Sequence, residues 1–224
     1  MSTLKFFLAI SLTLGVIAMA CPQEQEQPAA RETVDLPVPD TSGDLSVEAA
    51  IEQRRSVRQF TDEELSTDEI GQLAWAAQGI TDDGRGFRAA PSAGALYPIE
   101  LYLVTPDRLH RYLPDSHALE VMRREDLRGD LAAAALGQQH VRDAALVMVV
   151  TGVFQRTAAK YGDRAERYVF MEAGHLAQNV HLQAEALGLG SVPVGAFDDG
   201  AVADALSLPD DHAPLYLLPI GHPR

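Results

Sequence analysis

The chemistry of this chain is most visible in a short run of arginines, "RRSVR" at positions 54–58. Arg54, Arg55 and Arg58 supply three fixed positive charges in a chain of 224 residues whose formal net charge is −14. A guanidinium can donate two hydrogen bonds at once to a phosphate, so the run suits a small anionic ligand. A solvated helix end with Asp and Glu partners would explain the same residues, and both interpretations stay open here. The acidic balance argues against a general nucleic-acid binder.

Two further stretches are rich in small residues, "PSAGALYP" at 91–98 and "GSVPVGAF" at 190–197. Small side chains allow backbone amides to come close to a flat or anionic ligand. Together with the arginines, these stretches favour a phosphorylated, flat cofactor. Tight turns that bind no ligand are the alternative.

Other familiar sites are missing from the sequence. There is no phosphate-binding G-x-x-x-x-G-K-[ST] motif, and no G-x-S-x-G nucleophile motif. Glu172 and His175 form an E-x-x-H pair, but a di-iron site needs a second copy and two more carboxylates. His175 and His181 are six residues apart, which is off the spacing that stacks two ligands on one helix face. We therefore predict no metal site and interpret both histidines as ordinary helix residues.

The elements that must position these residues follow from periodicity and capping. Ser66 and Glu69 form a capping box, and Gly79 marks the end of that helix. Gly174 and Ala177 indicate close approach of another helix, which could belong to a second subunit. The predicted helices are 46–54, 66–79, 126–141, 164–190 and 199–208, and the predicted strands are 99–105, 144–154, 191–197 and 214–221. Helices and strands are mixed without regular βαβ alternation, which indicates an α+β fold.

The N-terminal part has a different composition. Residues 1–20 have the pattern of an export signal, and "IAMAC" predicts a bacterial lipoprotein with Cys21 as its lipid-bearing residue. The exported protein would then be attached to the periplasmic or cell-surface side of a membrane. Ala18 stands where such sites usually have leucine, and ordinary signal cleavage is the alternative. Residues 21–44 predict a flexible tether, and the folded domain is expected over 45–224. Since Cys21 is the only cysteine, no internal disulfide can form.

Six stretches of the chain, taken in order, resemble the FMN-dependent nitroreductase superfamily. They are "RRSVRQF", "LAWAAQGI", "PSAGALYPIELYLV", "KYGDRAERY", "EAGHLAQNVHLQAEALGLGSVPVGAFDD" and "PLYLLPIGHP". The resemblance is to its SagB-type branch, which includes the azoline dehydrogenases that form thiazoles and oxazoles in peptides. It implies an α+β homodimer with a mixed central sheet packed by helices. It also implies FMN bound between the subunits and a small organic or peptide substrate.

The resemblance implies roles for the arginine run. Arg54 would pair with the FMN phosphate, while Ser56 and Arg58 would reach the phosphate side and the pyrimidine edge of the flavin ring. A cation near that edge favours the anionic reduced flavin, so Arg58 would tune the redox step.

The small-residue stretches would contact the flavin itself. By resemblance, Ser92, Ala93 and Gly94 would line the ring and the ribityl chain from the other subunit. Gly195 and Ala196 would present their backbone to the ring edge near the hydride-accepting nitrogen.

The catalytic prediction falls on Lys160 and Tyr161. Azoline dehydrogenases carry an adjacent Lys-Tyr pair that serves as base and proton carrier, and this pair matches it in position. Oxidation of an azoline removes a proton as a hydride leaves, so a positioned amine suits the reaction. A surface lysine beside a packing tyrosine is the alternative.

Three departures from the family pattern leave other functions open. Ala95 replaces an asparagine of typical nitroreductases, and Arg224 alone stands where many relatives add basic residues for the phosphate, which predicts weaker FMN retention. Export would separate the protein from NAD(P)H. The alternatives are a nitro- or quinone-reductase that uses NAD(P)H, and a flavin-binding lipoprotein without catalytic activity.

Overall fold

The computed structural model describes residues 32–224. The predicted export signal, the lipidation site Cys21 and the first part of the predicted tether lie outside the described residues. No helix of the described part is long and apolar enough to cross a membrane.

Seven of the strands in the described part form one sheet in the order β1-β6-β5-β4-β7-β9-β8, and all neighbouring pairs are antiparallel. The other two strands, β2 and β3, form a separate hairpin. The strand bounds are β1 (Thr33–Asp35), β2 (Ile80–Asp82), β3 (Phe87–Arg88), β4 (Ile99–Val104), β5 (Leu109–Leu113), β6 (Ala118–Arg123), β7 (Leu146–Gly152), β8 (Gly190–Ser191) and β9 (Ala213–Gly221).

Helices cover both faces of the sheet. Their bounds are α1 (Val47–Gln53), α2 (Thr67–Gln78), α3 (Arg128–Ala134), α4 (Gln139–Arg142), α5 (Phe154–Tyr161), α6 (Ala165–Ala186) and α7 (Asp199–Leu206). On β7, Met148 packs in the cluster that includes α2 and α6, and the adjacent Val147 packs in the cluster that includes α3 and α7. Every residue of β7 is buried, which explains its uninterrupted apolar sequence.

The structure confirms the α+β class and most of the predicted elements. Ser46 caps α1, and the capping box of α2 has both of its hydrogen bonds, between Ser66 and Glu69. The central sheet, expected to be mixed, is antiparallel between its strands. Within residues 32–224, one parallel bridge joins Ser56 to Ser191 at the edge of the sheet. The short strands β1, β2, β3, β5 and β6 were missed.

The helix predicted over 126–141 is wrong as one piece. Leu136 and Gly137 have φ values of 59° and 75°, which end α3 before α4 begins. The backbone N–H of Gly137 donates to the carbonyl of Ala132 at 2.8 Å, a typical glycine helix stop.

The tether prediction over 21–44 needs correction at its C-terminal end. Thr33–Asp35 pairs with β6, and the side chain of Leu36 is only 9% exposed in the main core cluster. The sequence around these residues is rich in Pro and acidic residues, so one buried leucine and a three-residue strand were not visible in its composition. The folded part therefore begins at least as early as Thr33, not near Leu45.

We expect Leu36→Ala to lower the free energy of unfolding by about 2 kcal/mol or more, because it removes buried apolar volume. Val38→Ala is the matched control, since Val38 is 92% exposed two residues later, and it should change stability by less than about 0.5 kcal/mol. Denaturant unfolding of both variants measures the difference. If both variants change the free energy of unfolding by the same small amount, the original prediction of a flexible tether up to residue 44 would stand.

Candidate functional site

The arginine run lies where α1 ends and the chain joins the sheet edge. Arg54 is the residue after α1, and its backbone N–H donates to the carbonyl of Ala50 at 3.0 Å. Two residues later, Ser56 bridges Ser191 of β8, and the N–H of Val57 donates to the carbonyl of Ser191 at 3.0 Å. The backbone of the run is therefore fixed by a helix end on one side and a strand on the other.

The side chain of Arg54 contacts a buried histidine. Arg54 Nη1 lies 3.4 Å from Nε2 of His181 on α6, and Nδ1 of the same imidazole lies 2.5 Å from Oγ of Ser191. Burial, and then the positive charge of Arg54, lower the pKa of His181 to about 4. The imidazole is therefore neutral at neutral pH.

None of the three arginines forms an ion pair with a carboxylate of the described residues. Arg55 folds back and donates at 2.8 Å to the carbonyls of Glu52 and Arg54. Arg58 is exposed, and its charge adds to burial in lowering the pKa of His140. The run does lie at a helix end, but without the acidic partners of that interpretation among the described residues. The charges of Arg54 and Arg58 therefore remain available to an anion.

Gly195 and Ala196 lie in an exposed segment just after the bridge between Val194 and Leu217 of β9. The side-chain amide of Gln138 donates to the carbonyl of Ala196 at 3.0 Å. Gln138 directly precedes α4. This helix also carries His140, whose pKa is lowered by burial and by the charge of Arg58. The start of α4 therefore links this segment to the arginine run.

A second group of predicted residues meets around Gly94. This residue has φ +65°, and a Cβ added there would stand 2.8 Å from Nζ of Lys160 and 2.9 Å from Oη of Tyr161. The tyrosine ring packs edge-to-face on Tyr168, with centroids 5.0 Å apart. Lys160 and Tyr161, at the end of α5, thus lie directly against the loop that carries Ser92, Ala93 and Gly94.

Behind this loop lies the buried carboxyl of Glu172 on α6, which is 2% exposed. Burial raises the pKa of Glu172 to about 7, and the nearby Ser92 hydroxyl, the charge of Arg88 and the Gln78 side chain offset only part of that rise. Oε1 of Glu172 and the side-chain nitrogen of Gln78 have no hydrogen-bond partner among the described residues. The hydroxyl of Ser92 also accepts the backbone N–H of Tyr97 at 2.9 Å. Glu172 therefore lies behind the Gly94 loop as a buried carboxyl group with one unpaired oxygen.

The two groups are separate within one chain. Glu172 and His181 are nine residues apart on α6, which is about 14 Å along the axis and about half a turn around it, so they lie at opposite edges of the buried side of the helix. The structure brings Arg54, Ser56 and Ser191 together, and separately brings Gly94, Lys160 and Tyr161 together. It does not bring the two groups into contact with each other.

Sequence reasoning missed the roles of Glu172, His181 and Gln138. Glu172 was weighed only as a metal-ligand partner of His175, yet Glu172 is buried and His175 is exposed. Among the described residues no group of His, Cys, Asp and Glu is placed to hold a metal ion. The signal that was available was position, since Glu172 and His181 both fall among the buried, otherwise apolar positions of a long helix.

Residues 51–222 match the family model described as the Nitroreductase family, and the chain therefore belongs to that family. Its members are flavin-dependent oxidoreductases. A protein of Methanocaldococcus jannaschii that is named a nitroreductase is 39% identical over 196 residues, which are 85% of this chain and 97% of that protein. A crystal structure from Ralstonia eutropha, also named a nitroreductase, has a TM-score of 0.78 and 30% identity over 88% of this chain and 91% of its own.

Similarity extends to peptide-processing proteins. The microcin B17-processing protein McbC of Escherichia coli is 32% identical over 64% of this chain, which spans 57% of McbC. The structure of the E. coli microcin synthetase McbBCD complex with truncated pro-MccB17 bound contains a chain with a TM-score of 0.67. That chain is 25% identical, over 94% of this chain and 85% of its own.

The raised pKa of Glu172 has a consequence for stability. Between pH 4.5, the ordinary value, and about 7, the folded chain holds a proton that the unfolded chain has released. The stabilising contribution of Glu172 is therefore complete below the unfolded value and is lost as pH rises through the folded value. Relative to Glu172→Gln, wild-type stability should fall by up to about 3 kcal/mol from acidic pH to about pH 8.

Denaturant unfolding of both proteins at several pH values measures this difference. Glu166→Gln is the control, because Glu166 is an exposed carboxylate on the first turn of the same helix. A stability difference between the wild type and the Glu172→Gln variant that does not change with pH would contradict the assignment of a protonated Glu172.

Proposed function

We propose that this protein is an FMN-dependent oxidoreductase of SagB type. It transfers hydride between the flavin and a small organic or peptide substrate that resembles an azoline. The observation that carries the proposal is the position of Lys160 and Tyr161 against the Gly94 loop. This loop is the one expected to line the flavin, so the base and proton carrier would stand at the reacting ring.

The residues present fit a flavin phosphate. Arg54 and Arg58 have no carboxylate partner among the described residues, and the segments around Gly94 and Gly195 carry little side-chain bulk. Arg54 and Ser56 would hold the phosphate, and Arg58 would reach the pyrimidine edge of the ring. When bound, FMN supplies a two-electron hydride acceptor.

The separation of the two groups supports a homodimer, the usual state of nitroreductases. The arginine run with Gly195 and Ala196 would come from one copy, and the loop of Ser92, Ala93 and Gly94 from the other. On α6, Phe170 and Met171 are half exposed, and a Cβ at Gly174 would meet nothing within 4 Å. A second copy packed on this face would cover apolar surface and complete the site.

The proposed base is the only lysine among residues 32–224. Every other side chain of the Lys and Arg types in this range is an arginine. A guanidinium stays protonated, whereas an amine can accept and release a proton. Lys160 would take the proton from the substrate carbon as the hydride leaves, and Tyr161 would carry it onward.

A reductase that uses NAD(P)H is the second candidate. The relatives from M. jannaschii and R. eutropha are both named nitroreductases, and each matches over most of its own length. Rapid bleaching of the bound flavin by NADPH would favour the reductase. Slow or absent bleaching, with oxidation of a model thiazoline, would favour the dehydrogenase.

We expect Lys160→Ala and Lys160→Arg to remain yellow but to oxidise a model thiazoline at least about a hundredfold more slowly, because neither variant has an amine that can take up the substrate proton. Arg124→Ala is the control, since Arg124 is an exposed cation that pairs with Glu32 away from the proposed site, and the variant should keep full activity. Flavin absorbance and product formation are measured together. Full activity in Lys160→Ala would show that Lys160 is not the base. A protein that stays colourless after FMN is added would contradict both the dehydrogenase and the reductase hypotheses.

We also propose that the protein is exported and carries a lipid on Cys21. The sequence of residues 1–21 is the support for this proposal. Cys21→Ser should move the protein from the membrane fraction to the soluble fraction of the producing cells, because the lipid is the proposed anchor. Unchanged membrane association of the variant on fractionation would rule out Cys21 as the attachment point.

A further inference from the structure

The hydrogen bonds around His181 leave one arrangement of its protons. A guanidinium has only donors, so Nε2 of His181 must accept from Nη1 of Arg54 across the 3.4 Å contact. The proton of the neutral imidazole is then on Nδ1, which donates to Oγ of Ser191 at 2.5 Å. Both ring nitrogens are used, and the residue is only 6% exposed.

We propose that His181 is a positioning residue that holds the guanidinium of Arg54 ready for the phosphate of the flavin. The inference rests on the proposed binding of FMN, and it adds a residue to which sequence reasoning gave no role. Ser191 completes the arrangement, because it anchors the imidazole by its hydroxyl and the backbone of the arginine run by its carbonyl.

The physical reason for a histidine here is charge. A free arginine side chain has many rotamers, and ordering it on a ligand costs conformational entropy. A carboxylate could hold Arg54 in place, but it would neutralise the charge that attracts the phosphate. A neutral acceptor orients the guanidinium and leaves its positive charge for the ligand. The lowered pKa of His181, caused first by burial and then by Arg54, agrees with this role.

The test compares two flavins that differ only in the phosphate. The full chain is stripped of flavin and titrated with FMN and with riboflavin, and the dissociation constants are measured from flavin fluorescence. For His181→Leu we expect FMN to bind about tenfold more weakly, while riboflavin binding stays unchanged. His181→Gln should keep most of the FMN affinity, because its amide oxygen can accept from Arg54.

Two further variants separate positioning from general damage to the core. His110→Leu removes another buried histidine, on β5, and should leave both flavin affinities unchanged. In an Arg54→Ala background, His181→Leu should cause no additional loss of FMN affinity, since its effect acts through Arg54.

Equal weakening of FMN and riboflavin in His181→Leu would overturn the inference, as would an additive loss in the double variant. Failure of the proposed function has a different signature. If Arg54→Ala alone leaves the preference for FMN over riboflavin unchanged, Arg54 is not the phosphate ligand, and the role of His181 falls with it.

Discussion

The candidate site depends on two polar side chains buried on α6. A buried ionisable group is costly unless it finds a partner or gives up its charge. His181 finds its partners in Arg54 and Ser191, whereas burial raises the pKa of Glu172, which lies beside Ser92 of the glycine loop. One helix therefore carries a buried polar side chain next to each group of candidate residues.

The same helix also separates the two groups. Because Glu172 and His181 lie about 14 Å apart along α6, the glycine loop and the arginine run do not meet within one chain. A second copy that packs on the exposed face near Gly174 would bring a loop from one chain to an arginine run of the other. On this view the dimer is a requirement of the site and not an accessory to it.

Much of the fold could be predicted from sequence where the signal is local. The capping box at Ser66 and the apolar run of β7 determine their elements with little help from the rest of the chain. The hairpin of β5 and β6 and the short strand β1 were missed, because a strand of a few residues is stabilised by its neighbours more than by its own composition. The broken helix at Gly137 shows that alanine-rich periodicity can hide a stop signal.

The sequence by itself determined the family, the α+β class and the chemical types of the candidate residues, because motif order and periodicity are properties of the chain alone. Only the tertiary structure decided which charges remain available. The arginine run has the same residues whether or not acidic side chains lie beside it, and their absence from the described surroundings of Arg54 and Arg58 is a matter of three-dimensional position. Likewise, a helix histidine becomes the partner of Arg54 only because α1, α6 and β8 converge at one point, since hydrogen bonds require atoms within about 3.5 Å of each other.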